Sequence, residues 1–185
     1  MKYGVLLAFL LLAIVQWMIP VKTIWEKDQV LKRGHAHKFR TEPVDPSHPF
    51  KGKYITLNFT NSLFSDTVNR DLGSNDDVYV ILQKDIRGFS IIKDLSIQEP
   101  QNTDDYVSAV VYYVSREKDT VTVHLQYPFD EFYLDEYKAP KAESIYREST
   151  RDTSNTTYAL VKILKGEAVI ENVFINDIPI GSLIK

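Results

Sequence analysis

One uninterrupted apolar run opens the chain, and an alternating pattern fills the rest. Tyr3 to Val21 ("YGVLLAFLLLAIVQWMIPV") holds 19 residues without a formal charge. As a helix rising 1.5 Å per residue it covers about 30 Å, the thickness of a bilayer's hydrocarbon core. Its end, Trp17-Met18-Ile19-Pro20, lacks the small-x-small pattern of a signal-peptide cleavage site, so the run is expected to stay as an anchor. Lys22 to Gly34 continues at rough helical spacing through Ile24, Trp25, Val30 and Leu31, with Gly34 as the stop. Trp17 and Trp25 suit the bilayer's outgoing interface.

From His35 onward the period is two. His37–Thr41 is a short strand. Tyr54–Thr60 puts Ile55, Leu57 and Phe59 on one face and Tyr54, Thr56, Asn58 and Thr60 on the other. Asp77–Gln83 is nearly all apolar, which suits an interior strand, and Gly88–Ile97 returns from a turn at Asp85 to Gly88. Tyr106–Ser115 and Thr120–Tyr127 form a hairpin across Arg116-Glu117-Lys118-Asp119. Thr157–Leu164 and Glu167–Ile175 form another across Lys165-Gly166, and a turn at Asn176-Asp177 leads to an edge strand that tolerates Pro179. One segment, Ala139–Ser149, is helical, with Pro140 in its first turn and Ala142, Ile145 and Tyr146 on one stripe. The expected fold is therefore mainly β. Residues 1–34 form a transmembrane helix with its juxtamembrane extension, and residues 35–185 an antiparallel β barrel or sandwich with one short α-helix.

Composition narrows the chemistry. The absence of cysteine removes disulfides, thiolate catalysis and a lipoprotein anchor. A net charge of −3 gives no footprint for nucleic acid. There is no phosphate-binding loop, Gly-x-Ser-x-Gly, HExxH or dinucleotide fingerprint, and no cofactor is expected. Lys22, Lys27, Lys32 and Arg33 follow the apolar run while only Lys2 precedes it, so charge counting alone would leave the large domain in the cytoplasm.

Three constellations have chemical potential. His35-x-His37 places two imidazoles on one strand face, a spacing that can serve a metal, yet no third ligand is near in sequence. The acidic, aromatic stretch around Phe129, Asp130, Tyr133, Asp135 and Glu136 could hold a cation or a sugar, or simply cover one end of a sheet. Ser47, with Pro49 and Gly52 before a strand, faintly resembles the type I signal peptidases. That reading makes Ser47 a nucleophile and Lys84 its base, although His48 and Lys53 depart from the pattern.

"VDPSHPFKGKYITLNF" (Val44 to Phe59) resembles the signature of the GDYXXLXY family of bacterial membrane-anchored proteins of uncharacterised function. Val44, Asp45, Pro46, Gly52, Tyr54 and Leu57 match, Lys53 replaces an Asp and Phe59 a Tyr. "IWEKDQVLKRG", "YPFDEFYLDEYKAPKAESIYRE" and "YALVKILKGEAVIENVFINDIPI" extend the resemblance over nearly the whole chain. The resemblance implies one N-terminal span, residues 3–21 in the lipid bilayer of the inner membrane, and a domain on the periplasmic side. The expected role is an accessory or interaction module with a membrane protein as partner. A Ser/Lys hydrolase and a carbohydrate- or ion-binding domain are the alternatives. Within the signature, Leu57 and Phe59 are expected in the core and Tyr54 on the opposite face. Gly52 is expected to take a positive φ, and Asp45 to bond backbone amides of its turn.

Overall fold

The computed structural model describes residues 2–43, 54–66, 71–117 and 120–184. Helix α1 (Lys2–Arg33) runs without a break from the apolar segment into the body. The apolar side chains described between Tyr3 and Val21 point outward, uncovered by the rest of the molecule. The last turns of the helix do pack: Val30 is 3% exposed, and Lys27 Nζ lies 2.6 Å from Glu167 Oε2. Gly34 ends the helix for a reason that sequence reading misplaces. It does not adopt a left-handed conformation. A Cβ there would fall 2.5 Å from the Val30 carbonyl oxygen and 3.0 Å from backbone atoms of Ile163, so the residue permits close approach.

The strands follow in chain order: β1 (His35–Glu42), β2 (Tyr54–Thr56), β3 (Asn58–Phe59), β4 (Leu63–Asp66), β5 (Asp77–Lys84), β6 (Ser90–Ser96), β7 (Tyr106–Glu117), β8 (Thr120–Gln126) and β9 (Glu131–Tyr133). Then come α2 (Ala139–Arg151), β10 (Thr157–Leu164), β11 (Glu167–Ile175), β12 (Ile178–Pro179) and the single-turn α3 (Ile180–Leu183). One sheet has the order β12-β11-β10-β1-β3 and a second β4-β8-β7-β5-β6, while β2 and β9 form a separate ribbon. All ladders are antiparallel. Single parallel bridges, Lys38 to Phe89 and Val107 to Gly166, draw the two sheets into a nearly closed, barrel-like body.

Alternation explains the interior. Phe39, Val161, Ile163 and Val173 come from one sheet, and Val78, Val80, Val107, Val111 and Val123 from the other. Each is at most 1% exposed. Burying such side chains stabilises a fold by roughly 1.5–3 kcal/mol each, before conformational entropy is set against it. Helix α2 starts at Ala139 and carries Pro140 in its first turn, buries Ala142 and Tyr146, and packs on β2 and β10. Three elements lie outside the sequence expectation: β4, β9 and α3. The first two are short segments that become strands only by pairing, with β8 and β2 respectively.

Candidate functional site

The run Tyr54–Thr60 behaves as its alternation requires: Ile55, Leu57 and Phe59 are buried, and Tyr54 is half-buried. It is not one strand, however. Tyr54–Thr56 pairs with β9, and Asn58–Phe59 pairs with the end of β1, through Phe59 to Thr41 and Asn58 to Glu42. Leu57 is the joint, and its N–H donates to the Asp130 carbonyl at 2.7 Å. That bond ties the signature to the acidic, aromatic segment 73 residues later (130 less 57). Tyr54 and Tyr133 meet across the ribbon, ring centroids 5.4 Å apart.

Behind this joint lies a knot of rings. Phe39, Phe59, Tyr127 and Phe129 contact one another at centroid distances of 5.1–5.9 Å, mostly edge to face, an arrangement that adds to simple area burial. The Tyr127 hydroxyl donates to the Asn61 carbonyl at 2.7 Å, and burial pushes its pKa up. Phe129 is thus a core residue. Of the remaining members of its segment, Asp135 holds the turn into α2: its side chain accepts from the Tyr137 N–H, and its carbonyl from Lys138 and Ala139. The Tyr133 hydroxyl donates to Glu131 at 2.6 Å, and Glu136 is exposed. Asp130 lines a cavity.

That cavity is a cleft of about 370 Å3 between β3 and the last residues of β8, beyond the Leu63–His124 pair at which β4 begins. Leu57, Phe59, Leu125 and Tyr127 form its apolar floor. Its rim carries the carboxylates of Glu42 and Asp130, the amides of Asn58 and Gln126, the His124 ring and Tyr112. Tyr112 faces outward by alternation from the buried Val111, and a β-bulge, a register shift of β7 against β8 between Val111 and Tyr113, brings Tyr113 to the outer face as well. Tyr113 then packs on His124 with centroids 5.5 Å apart. The volume lies within the range of small-molecule sites.

A second polar cluster sits at the other end of the body. His35 Nδ1 and His37 Nε2 both approach Asp105 Oδ1, at 3.3 and 3.2 Å. The spacing His35-x-His37 therefore does bring two imidazoles to one face, with Asp105 as the partner sequence could not supply. His37 is 1% exposed; its Nδ1 lies 3.0 Å from Ser90 Oγ, while Nε2 makes no hydrogen bond among the described residues. Burial holds the His37 pKa below its ordinary value, with Lys84 and His35 adding to the effect and Asp105 opposing it. Ser90, His37 and Asp105 are neighbours of the residue types a hydrolytic triad uses, but Nε2 is not hydrogen-bonded to Asp105 and Ser90 is 0% exposed, so no substrate carbonyl can reach its hydroxyl. Among the described residues no group of three or more His, Cys, Asp or Glu could hold a metal ion.

Val44, Asp45, Pro46, Gly52 and Lys53 of the signature lie outside the described residues, and so does Ser47. Lys84 ends β5, exposed and opposite Ser90. Sequence reading missed the rim residues Glu42, Tyr112 and Gln126. The one available signal was the doublet Tyr112-Tyr113, since strict alternation would send one of the two bulky phenols inward.

An apolar helix that meets the length and composition needed to cross a membrane, continuous with a mainly antiparallel, nearly closed β body, defines the class. The chain belongs to the GDYXXLXY protein family, which it matches over residues 16–173. No curated protein and no solved structure matches it.

Proposed function

We propose that the protein is a single-span, membrane-tethered β module that works on the periplasmic side of the inner membrane and acts by contact with a membrane assembly rather than by turnover. The observation that carries this reading is the continuity of α1. Its first two-thirds leave Leu, Ile, Phe, Trp and Met side chains uncovered, which in water would be strongly unfavourable and in lipid is the expected state. Its last turns are locked to β10 and β11 through Val30, Gly34 and the Lys27–Glu167 pair. A helix that is lipid-facing at one end and core-packed at the other holds its body at a fixed height and azimuth. A flexible leash would raise local concentration only; a rigid one also presents a chosen face to neighbouring membrane proteins.

Support for contact over turnover comes from the buried Ser90–His37 pair, whose hydroxyl is closed to substrate. The test is crosslinking in membranes from single cysteines placed at exposed positions around the body, which the cysteine-free background makes clean. The proposal expects a discrete adduct with a membrane protein from one face of the body. It expects that adduct to vanish when three glycines are inserted between Arg33 and His35, a change that leaves the tether but frees the orientation. Adducts spread evenly around the body, or indifferent to the insertion, would contradict it.

A further inference from the structure

The β3–β8 cleft has a property that its volume alone does not convey. The side chains of Glu42, Asn58, Gln126 and Asp130 all line it, and none takes part in a hydrogen bond or ion pair among the described residues. Several carboxylates elsewhere are committed instead. Asp76, Asp85, Asp135 and Asp152 each accept from the backbone of their own turn, and Asp177 accepts from the Tyr158 hydroxyl. Four planar polar groups left uncommitted around one apolar floor are a set of donors and acceptors waiting for a partner with matching ones.

The set also defines the partner's chemistry. No lysine or arginine is among the described lining residues, and two carboxylates are, so an anionic ligand would meet repulsion. Carboxylates and primary amides present paired atoms that engage two adjacent hydroxyls at once. Tyr112 is 71% exposed at the rim, on the outward face that alternation from Val111 assigns it, and the bulge leaves it without a partner residue on β8. An exposed phenol ring beside planar amides and carboxylates is suited to the apolar C–H face and polar edge of a pyranose. We propose that this cleft is a binding subsite for a neutral or amine-bearing saccharide, with Tyr112 as the stacking platform and Glu42, Asn58, Gln126 and Asp130 reading its hydroxyls. The subsite is distinct from the exposed segment Tyr133 to Glu136, and it does not depend on which side of the membrane the body occupies.

The test uses the full chain in detergent micelles, titrated with three probes of equal length: cellotetraose (neutral), a glucosamine tetramer (cationic) and tetragalacturonate (anionic). Binding is followed by 1H–15N shifts. The proposal expects the neutral or the cationic probe to shift the resonances of residues 58, 112, 124 and 126, with the anionic probe at least tenfold weaker. Tyr112→Ala should weaken binding at least tenfold, and Gln126→Ala by a smaller factor. Both rim side chains lie outside the core, and far-UV circular dichroism checks the fold. Failure of both the neutral and cationic probes to bind, equal binding of the anion, or binding unchanged in both variants would overturn the proposal.

Discussion

His37 is enclosed on every side: β1 carries it, Ser90 of β6 meets Nδ1, and Asp105, His35 and Lys84 surround the other edge of the ring. Its folded pKa is depressed, chiefly by burial. A depressed histidine favours the neutral form, so its contribution to stability is complete above the unfolded value of about 6.5 and is lost as pH falls from there toward the folded pKa. Thermal melts between pH 7.5 and 5 should therefore show the body losing stability on acidification. His37→Gln should flatten that slope while costing about 1–3 kcal/mol at pH 7.5, because Ser90 loses its partner. A pH dependence identical in the variant would count against the assignment. Tyr146 offers the opposite case. Its hydroxyl is buried, with Thr41 near it but no well-formed hydrogen bond; burial pushes its pKa up and Thr41 opposes. Tyr146→Phe removes only that oxygen, so urea denaturation should show the variant equal to, or up to about 1 kcal/mol more stable than, the parent.

Secondary-structure elements divide by what fixes them. The hairpin β10–β11 was legible because its two strands alternate and Lys165-Gly166 has left-handed φ values of 50° and 80°, the geometry of the two-residue turn that best matches strand twist. A Cβ at Gly166 would sit 2.9 Å from Ser108 Oγ and 3.1 Å from Tyr106, and the turn also carries the bridge to β7. Gly166→Ala should destabilise by roughly 1–3 kcal/mol in a denaturant titration, whereas Gly181→Ala, with open space around it, should fall within about 0.5 kcal/mol. Strands β4 and β9 were illegible for a physical reason. Leu63–Asp66 and Glu131–Tyr133 have no period long enough to register and owe their form to β8 and β2. The cleft was illegible for the same reason: it lies beyond the Leu63–His124 pair at which β4 begins, where the end of β8 has no β4 partner, and no local pattern encodes where two distant strands part. Asp130 could be picked out as a carboxylate in an aromatic setting, but its neighbours Glu42 and Gln126 are brought there by β1 and β8 alone.

On the proposed reading the molecule as a whole joins two solvents. The apolar run and the alternating body were each readable from period alone, since lipid and a half-buried sheet impose different patterns on a chain. Their junction was not readable, because Gly34 and Val30 act through contacts with β10 made 130 residues away. At this scale Gly34→Leu should be among the most damaging single changes. Its side chain has backbone on two sides, so the helix must lift off the sheet, and proteolysis between Arg33 and His35 should accelerate several-fold while the β core keeps its melting temperature within a few degrees.

The most direct test of a lipid-spanning helix with its body outside the cytoplasm is alkylation of single cysteines by a membrane-impermeant maleimide. Ile97→Cys, at an exposed site on the body, and Ile14→Cys, within the apolar run, are compared in spheroplasts and in inverted vesicles of an expressing bacterium. The account predicts that position 97 reacts in spheroplasts and not in inverted vesicles, while position 14 reacts in neither until detergent is added. Labelling of position 97 only in inverted vesicles, or of position 14 in intact membranes, would contradict it.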